Sequence, residues 1–459
     1  MEDISSTSIA NTFRNLAKRY HTHKQIETAS QVEAVVDQVL QQDPDDPSAA
    51  LVRFGALVLT FLEQGQWSAA VDVGNVVVDT RKALLGPDNS ATLTAMHNLV
   101  SAYCGQGRWS EAIELGRRVV EARQAVLGMD SPQTMASMSN LASAYRNKGH
   151  LRQAEALEKQ LLDLKTKTLG PDHPSTMTSM SNLATTYTYM GRYDDAARLE
   201  QSVIERSARV LGARHGSTLT YKSNLSVTFR EQGRLEDAEK LESEVLDARV
   251  TSLGVQHPLC LTSMANLAAI YRDLGRFEEA EQLEAQVVER SQDGLGGDHP
   301  QTFMAMVNLA TTWRLQGRLD EAASLGARAV AAMKQQLGDL HPLCLTAMAE
   351  LGLTFQSQGR TREAEALTAQ ALRGMQKALG DSHPHCLTTV ANLGVIYQSQ
   401  GRWKEAEALA ERAARGREKV LGKSHPLTLA SMQDLVRLGP RLKHKAKEIH
   451  LHPGYEEDI

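Results

Sequence analysis

Residues 169–212 read LGPDHPSTMTSMSNLATTYTYMGRYDDAARLEQSVIERSARVLG. Met177, Met180, Leu183, Ala184, Tyr187 and Met190 are spaced by threes and fours, which is one apolar face of a helix. Pro174 falls at the first turn of that helix, where a missing N–H costs nothing. Gly191 breaks the pattern, and Tyr193, Ala196, Leu199, Val203, Val210 and Leu211 start a second apolar face. Gly212 closes it, as a left-handed cap would. The stretch predicts a helix, a tight turn, a second helix and a loop.

The same unit recurs along the chain. Leu-Gly pairs begin at Leu85, Leu127, Leu169, Leu211, Leu253, Leu295, Leu337, Leu379 and Leu421, each 42 residues after the last. A turn glycine recurs in step from Gly65 to Gly401, and a small residue follows it at Ala112, Ala154, Ala196, Ala238, Ala280, Ala322, Ala364 and Ala406. An alanine there lets two helices approach closely. Tyr103, Tyr145, Tyr187, Phe229, Tyr271, Trp313, Phe355 and Tyr397 fill the matching gap from the first helix. One hairpin cannot bury its apolar faces alone, so stacked neighbours must supply the missing surface. The expected fold is all-α, a right-handed superhelical solenoid of about nine helix-turn-helix repeats. Residues 1–42 form an N-terminal helical cap with Phe13, Leu16, Ala17 and Tyr20 on one face. The array covers 43–436, with units starting near 43, 85, 127, 169, 211, 253, 295, 337 and 379 and a half-unit at 421. Residues 437–459 form a more polar closing helix and tail, and no boundary or second domain is expected inside the array.

Composition narrows the function. The 50 basic and 55 acidic residues leave a net charge of −5, too balanced for a nucleic-acid surface. The one basic cluster, Lys443, Lys445 and Lys447, reads as a solvated terminal helix. Four cysteines in 459 residues make no disulfide framework, and no apolar run is long enough to span a membrane. The start, Met1-Glu2-Asp3, has no signal-peptide pattern. A cytoplasmic protein without membrane insertion is expected.

The Gly-Arg-x-x-x-Ala core with an upstream Asn-Leu-Ala-x-x-Tyr resembles the tetratricopeptide repeat (TPR). The 42-residue period and Leu169-Gly170-Pro171-Asp172-His173-Pro174, continuing through Asn182-Leu183-Ala184 to Gly191-Arg192, resemble the kinesin light chain type. The long heptad coiled coil of kinesin light chains does not precede the repeats. Nor does the nucleotide-binding module found upstream of similar arrays in fungal receptors. The resemblance therefore implies a fungal-type array that binds a peptide or protein on its concave face, lined by the first helix of each unit. It implies a groove role for Asn98, Asn140, Asn182, Asn224, Asn266, Asn308 and Asn392, whose amides both donate and accept. The alternative is that each Asn ties one helix to the next repeat. Arg146, Arg230, Arg272 and Arg314 lie six residues beyond their asparagines, and guanidinium groups there would favour an acidic segment. Salt bridges to neighbouring units are the alternative. Arg272→Glu is expected to weaken binding without unfolding the array. Glu350 interrupts the Asn row and reads as the salt-bridge partner of an Arg, or as a weak candidate for a general base.

Other signals carry no chemistry. His173, His215, His257, His299, His341, His383 and His425 recur one per linker. Stacked repeats hold them too far apart for one metal, so they read as a turn and cap device. Cys260, Cys344 and Cys386 are likewise kept apart. Gly416 to Gly422-Lys423-Ser424 lacks the strand and spacing of a phosphate loop, and no Gly-x-Ser-x-Gly elbow occurs. The sequence thus points to an adaptor or scaffold, not an enzyme, with no metal and no cofactor. Two rival readings remain. One is an enzyme or accessory protein of a fungal biosynthetic pathway holding a small molecule near Glu350, His97, Tyr189 or Trp313. The other is a stand-alone sensor module.

Overall fold

The computed structural model describes residues 5–23 and 25–450, with side chains through Leu438. Every regular element among them is an α-helix. The chain divides into two compact units, Met1–Gly170 and Pro171–Ile459. The division falls inside the array, where the repeat pattern predicts no boundary. The linker at 169–174 has the same form as the others and carries no mark of it.

The first unit contains α1 (Ser6–Thr22), α2 (Ile26–Gln42), α3 (Pro47–Glu63), α4 (Trp67–Leu85), α5 (Ser90–Gly105), α6 (Trp109–Leu127), α7 (Pro132–Asn147) and α8 (Leu151–Leu169). The N-terminal stretch is a hairpin in its own right. Phe13 of α1 stacks on Phe54 of α3 at 3.6 Å between centroids, both rings fully buried. The second unit contains α9 (Pro174–Tyr189), α10 (Tyr193–Val210), α11 (Gly216–Glu231), α12 (Leu235–Leu253), α13 (Pro258–Asp273) and α14 (Phe277–Gly294). It continues with α15 (Pro300–Leu315), α16 (Leu319–Leu337), α17 (Pro342–Ser357), α18 (Thr361–Leu379), α19 (Pro384–Ser399), α20 (Trp403–Leu421) and α21 (Pro426–His450). The expected half-unit and closing helix are one continuous helix, α21, which runs on through Gly439-Pro440. The side chains of Lys443, Lys445 and Lys447 and residues 451–459 lie outside the described ones.

The repeated residues act as their spacing requires. Ala112, Ala154, Ala196, Ala238, Ala280, Ala322, Ala364 and Ala406 are fully buried. Gly191 turns the α9–α10 corner at φ +71. The linker glycines differ from the left-handed cap expected for them. Gly170 has φ +90 and ψ +159, a conformation open essentially only to glycine, and Gly212 sits at φ +104. Where an arginine follows the corner glycine, it lies over the aromatic residue near the end of the first helix. Arg192 sits over Tyr187 at 4.2 Å and Arg402 over Tyr397 at 3.8 Å. Cation–π contact thus helps hold those corners.

The seven in-register histidines cap helices. The Nδ1 of His173, His215, His257, His299, His341, His383 and His425 accepts the backbone N–H two residues on, at 3.1–3.2 Å. A protonated imidazole cannot accept. Burial lowers the pKa of His299, and of His425 together with the nearby Arg417 charge. For His299 and His425 the stability the cap confers is therefore complete above about pH 6.5 and lost as the pH falls below it. His299→Asn keeps an acceptor that does not titrate. It should remove about 1 kcal/mol of the loss between pH 7 and pH 5, read from urea midpoints at the two pH values.

Cys260, Cys344 and Cys386 are buried free thiols. The Cys260 Sγ donates to the Gly254 carbonyl at 3.2 Å. It takes the place of the threonine that makes this bond at Thr218 and Thr302, 2.9 Å from Gly212 and Gly296.

Candidate binding face on the first helices

Within each unit, first helices touch the first helices of neighbouring hairpins. In the first unit α3 meets α5 and α5 meets α7. In the second, α9 meets α11, α11 meets α13, α15 meets α17 and α17 meets α19. Consecutive second helices make no comparable contact. Each stack therefore curves with its first helices on the inner side, and that inner layer carries both the Asn row and the Arg row. All seven asparagines and Glu350 are half-buried.

The asparagines do not all do the same thing. In the first unit Asn140 Nδ2 donates to Ser101 Oγ at 2.9 Å and approaches His97 Nε2 at 3.3 Å. In the second unit Asn224 Nδ2 donates to Ser181 Oγ at 3.0 Å, and Asn266 Nδ2 to Ser223 Oγ at 3.2 Å. Each of these two binds a serine 43 residues earlier, on the preceding first helix. Further along, the serine is gone: Ala265 stands 43 residues before Asn308, Val307 before Glu350 and Ala349 before Asn392. Among the described residues the Asn308 and Asn392 side chains have no such acceptor and no hydrogen bond. Asn98 and Asn182 are half-buried on α5 and α9. The row is thus divided into asparagines that tie helix to helix and asparagines whose amides remain open.

The arginines divide in the same way. Arg146 Nη1 donates to the buried Glu158 at 2.8 Å. Arg272 is paired with Glu284, whose side chain is 2% exposed. Arg230 meets Asp273 and Glu231 at 3.0 Å each. Arg272→Glu would set two carboxylates together below the surface, so a loss of stability is now expected from it in place of a spared fold. Arg314 differs. It faces Glu350 at 3.8 Å, too far for a hydrogen bond, and its Nε is buried without a partner. Burial raises the pKa of the Glu350 carboxyl, against the lowering effect of Arg314 and Arg272. Glu350 stands as an ion-pair residue, the leading one of its two sequence readings.

The partners of these arginines expose a feature missed in the sequence. Glu158, Glu200, Glu242 and Glu284 recur every 42 residues on the second helices, each at most 3% exposed. The Leu-Glu pairs at 157–158, 199–200, 241–242 and 283–284 were the available signal, hidden because a lone Glu on a helix reads as surface. Glu158 and Glu284 are answered by the arginine six residues past the Asn, whereas Thr188 stands there before Glu200, and Arg230, before Glu242, turns to Asp273 and Glu231. Glu242 is held by hydroxyls, with Ser223 Oγ at 3.0 Å and Ser226 closer still. The second oxygen of Glu200 has no partner, and burial pushes its pKa up to about 7 against the Thr228 hydrogen bond. The residues that a small-molecule site would use are spread out and engaged elsewhere or open to solvent. Trp313 Nε1 donates to Glu281 at 2.8 Å beneath Arg318. His97 is held by Ser137 and Asn140, and Tyr189 is 48% exposed. Among the described residues no three His, Cys, Asp or Glu side chains are grouped to hold a metal, and no helix is long and apolar enough to cross a membrane.

Comparison with known proteins agrees with this geometry. A tetratricopeptide repeat profile matches residues 49–125, 91–167, 135–208, 220–293, 259–335 and 301–377, and a second profile of the same repeat matches 386–427. No curated protein matches the sequence. Among solved structures, the nearly identical TPR-like repeats of a kinesin light chain from Podosopora anserina are 30% identical. They cover 44% of this chain and 95% of their own, with a TM-score of 0.37. BtubC (BKLC) from P. vanneervenii is 20% identical, covering 59% and 96%, with a TM-score of 0.40. The apo quorum sensor NprR from B. thuringiensis is 14% identical, covering 81% and 99%, with a TM-score of 0.51.

Proposed function

Because this chain belongs to the tetratricopeptide repeat family, we propose that it is a scaffold binding an extended protein segment along the inner face of its second unit. One observation carries the reading. On α15, α17 and α19 the amides of Asn308 and Asn392 have no protein partner, and between them Arg314 keeps a buried donor unfilled. A buried donor without an acceptor costs about 1–3 kcal/mol, which a ligand carbonyl or carboxylate would recover. Asn308 and Asn392 supply a donor and an acceptor each for a peptide backbone. Arg314 accounts for a preference for an acidic group, which must displace Glu350 from it. The other three arginines already hold carboxylates and add nothing to that preference.

The test uses a linear dodecapeptide selected from a random display library on the immobilised full chain. Asn308→Ala and Arg314→Ala should each weaken its binding at least tenfold in fluorescence anisotropy. Both should leave the urea midpoint within about 1 kcal/mol of the parent. Asn224→Ala should do the reverse, costing about 1 kcal/mol of stability and leaving affinity unchanged. A peptide that binds Asn308→Ala and Arg314→Ala as well as the parent chain removes this site.

A further inference from the structure

The second unit returns on itself. The Tyr193 ring, just past the α9–α10 corner, lies 6.2 Å from the His425 ring in the α20–α21 loop, inclined by 53°. A side chain at Gly191 would run into the same imidazole, so the backbone of the corner is pressed against it. His425 is 7% exposed, as its counterparts His341 (5%) and His383 (6%) are, so what sets it apart is its contact with the corner. The stack from α9 to α20 therefore curves round until its two ends touch, at a seam of Gly191, Tyr193 and His425. Its first helices line the inside of that curve, as their mutual contacts require.

We propose that this seam closes the inner face of the second unit into a channel entered only from its ends, so that the partner it takes is a flexible segment with a free end. A loop held between two folded ends would need the seam to open. The inference rests on the binding reading above for its ligand, while the seam stands on its own geometry. Glycine at 191 suits it twice: the corner needs positive φ, and the seam has no room for a Cβ.

The seam can be trapped without touching it. Asp194→Cys and Ser424→Cys place exposed thiols beside Tyr193 and His425, in a Cys104→Ser chain whose remaining cysteines are buried. A short bis-maleimide should join 194 to 424 within the monomer. It should leave a control chain with Asp194→Cys and Ser382→Cys, one linker earlier, unjoined. The joined chain should bind the selected linear dodecapeptide as tightly as the unjoined chain. It should bind the same dodecapeptide displayed as a loop on a folded carrier at least tenfold more weakly. Failure of 194 to join 424, or equal joining to 382, overturns the seam. Equal binding of the loop-displayed probe by the joined chain overturns the channel. If the dodecapeptide binds no form, the binding reading falls, and the cross-link still decides the seam.

Discussion

Arg272→Ala should destabilise the second unit by about 3–5 kcal/mol, although Arg272 lies on the face that the sequence assigns to ligand. The Glu284 side chain is 2% exposed, and its pKa is raised by burial and held down chiefly by the Arg272 charge, with Thr312 donating to it at 2.5 Å. Removing the guanidinium leaves a carboxylate below the surface with one hydroxyl for company. Removing the partner of a buried charge costs far more than forming the pair gains. Repeat arrays open locally, so hydrogen exchange of the α13–α14 amides is the suitable readout, with urea melting as a check. Adding Glu284→Gln to Arg272→Ala should recover more than half of the loss, because the stranded charge goes with it. Exchange rates at α13–α14 equal to those of the parent would contradict this account of the pair. Arg314→Ala is the contrasting case, since its pair with Glu350 at 3.8 Å is loose and the Glu350 side chain is 32% exposed.

Glu200→Gln should stabilise the protein at pH 8 by about 3 kcal/mol and change it little at pH 4. Raised from 4.5 to about 7 by burial, the Glu200 carboxyl favours the protonated state in the folded chain. A group whose pKa rises on folding contributes fully below its unfolded value, and that contribution is lost as the pH climbs through the folded one. Above pH 7 the ionised form must sit in the interior, with one oxygen unpartnered. A gap from 4.5 to about 7 corresponds to about 3 kcal/mol at 1.36 kcal/mol per unit. Urea denaturation of parent and variant at pH 4 and pH 8 gives the difference directly. Equal midpoints at pH 8 would show that the carboxylate finds a partner or water inside. The His299 and His425 caps fail in the opposite direction, below about pH 6.5.

The fold was legible because it depends on spacing. A 42-residue period with glycine at the corner and alanine just after it fixes helix length, corner and packing distance together, and those alanines are fully buried as the period requires. The function of each Asn was not legible from its own position, since Asn224 and Asn308 look alike in sequence. What separates them is the residue 43 positions earlier, Ser181 for one and Ala265 for the other. That comparison becomes meaningful only once neighbouring first helices are known to touch. The arginines mislead for a similar reason. Their partners, Glu158 and Glu284, lie on second helices and look like surface residues until the second helix is seen packed over them. Glu350 reads as the mate of an Arg from its charge alone, and Arg314 is that mate.

The central claim is that the ligand lies on α15, α17 and α19, where the amides and one guanidinium are unfilled. A crystal structure of the full chain with the selected dodecapeptide tests it most directly. The account predicts peptide backbone hydrogen-bonded to Asn308 and Asn392, with a ligand oxygen on Arg314 in place of Glu350. A peptide seated on the second helices, with Asn308, Arg314 and Asn392 untouched, would contradict it.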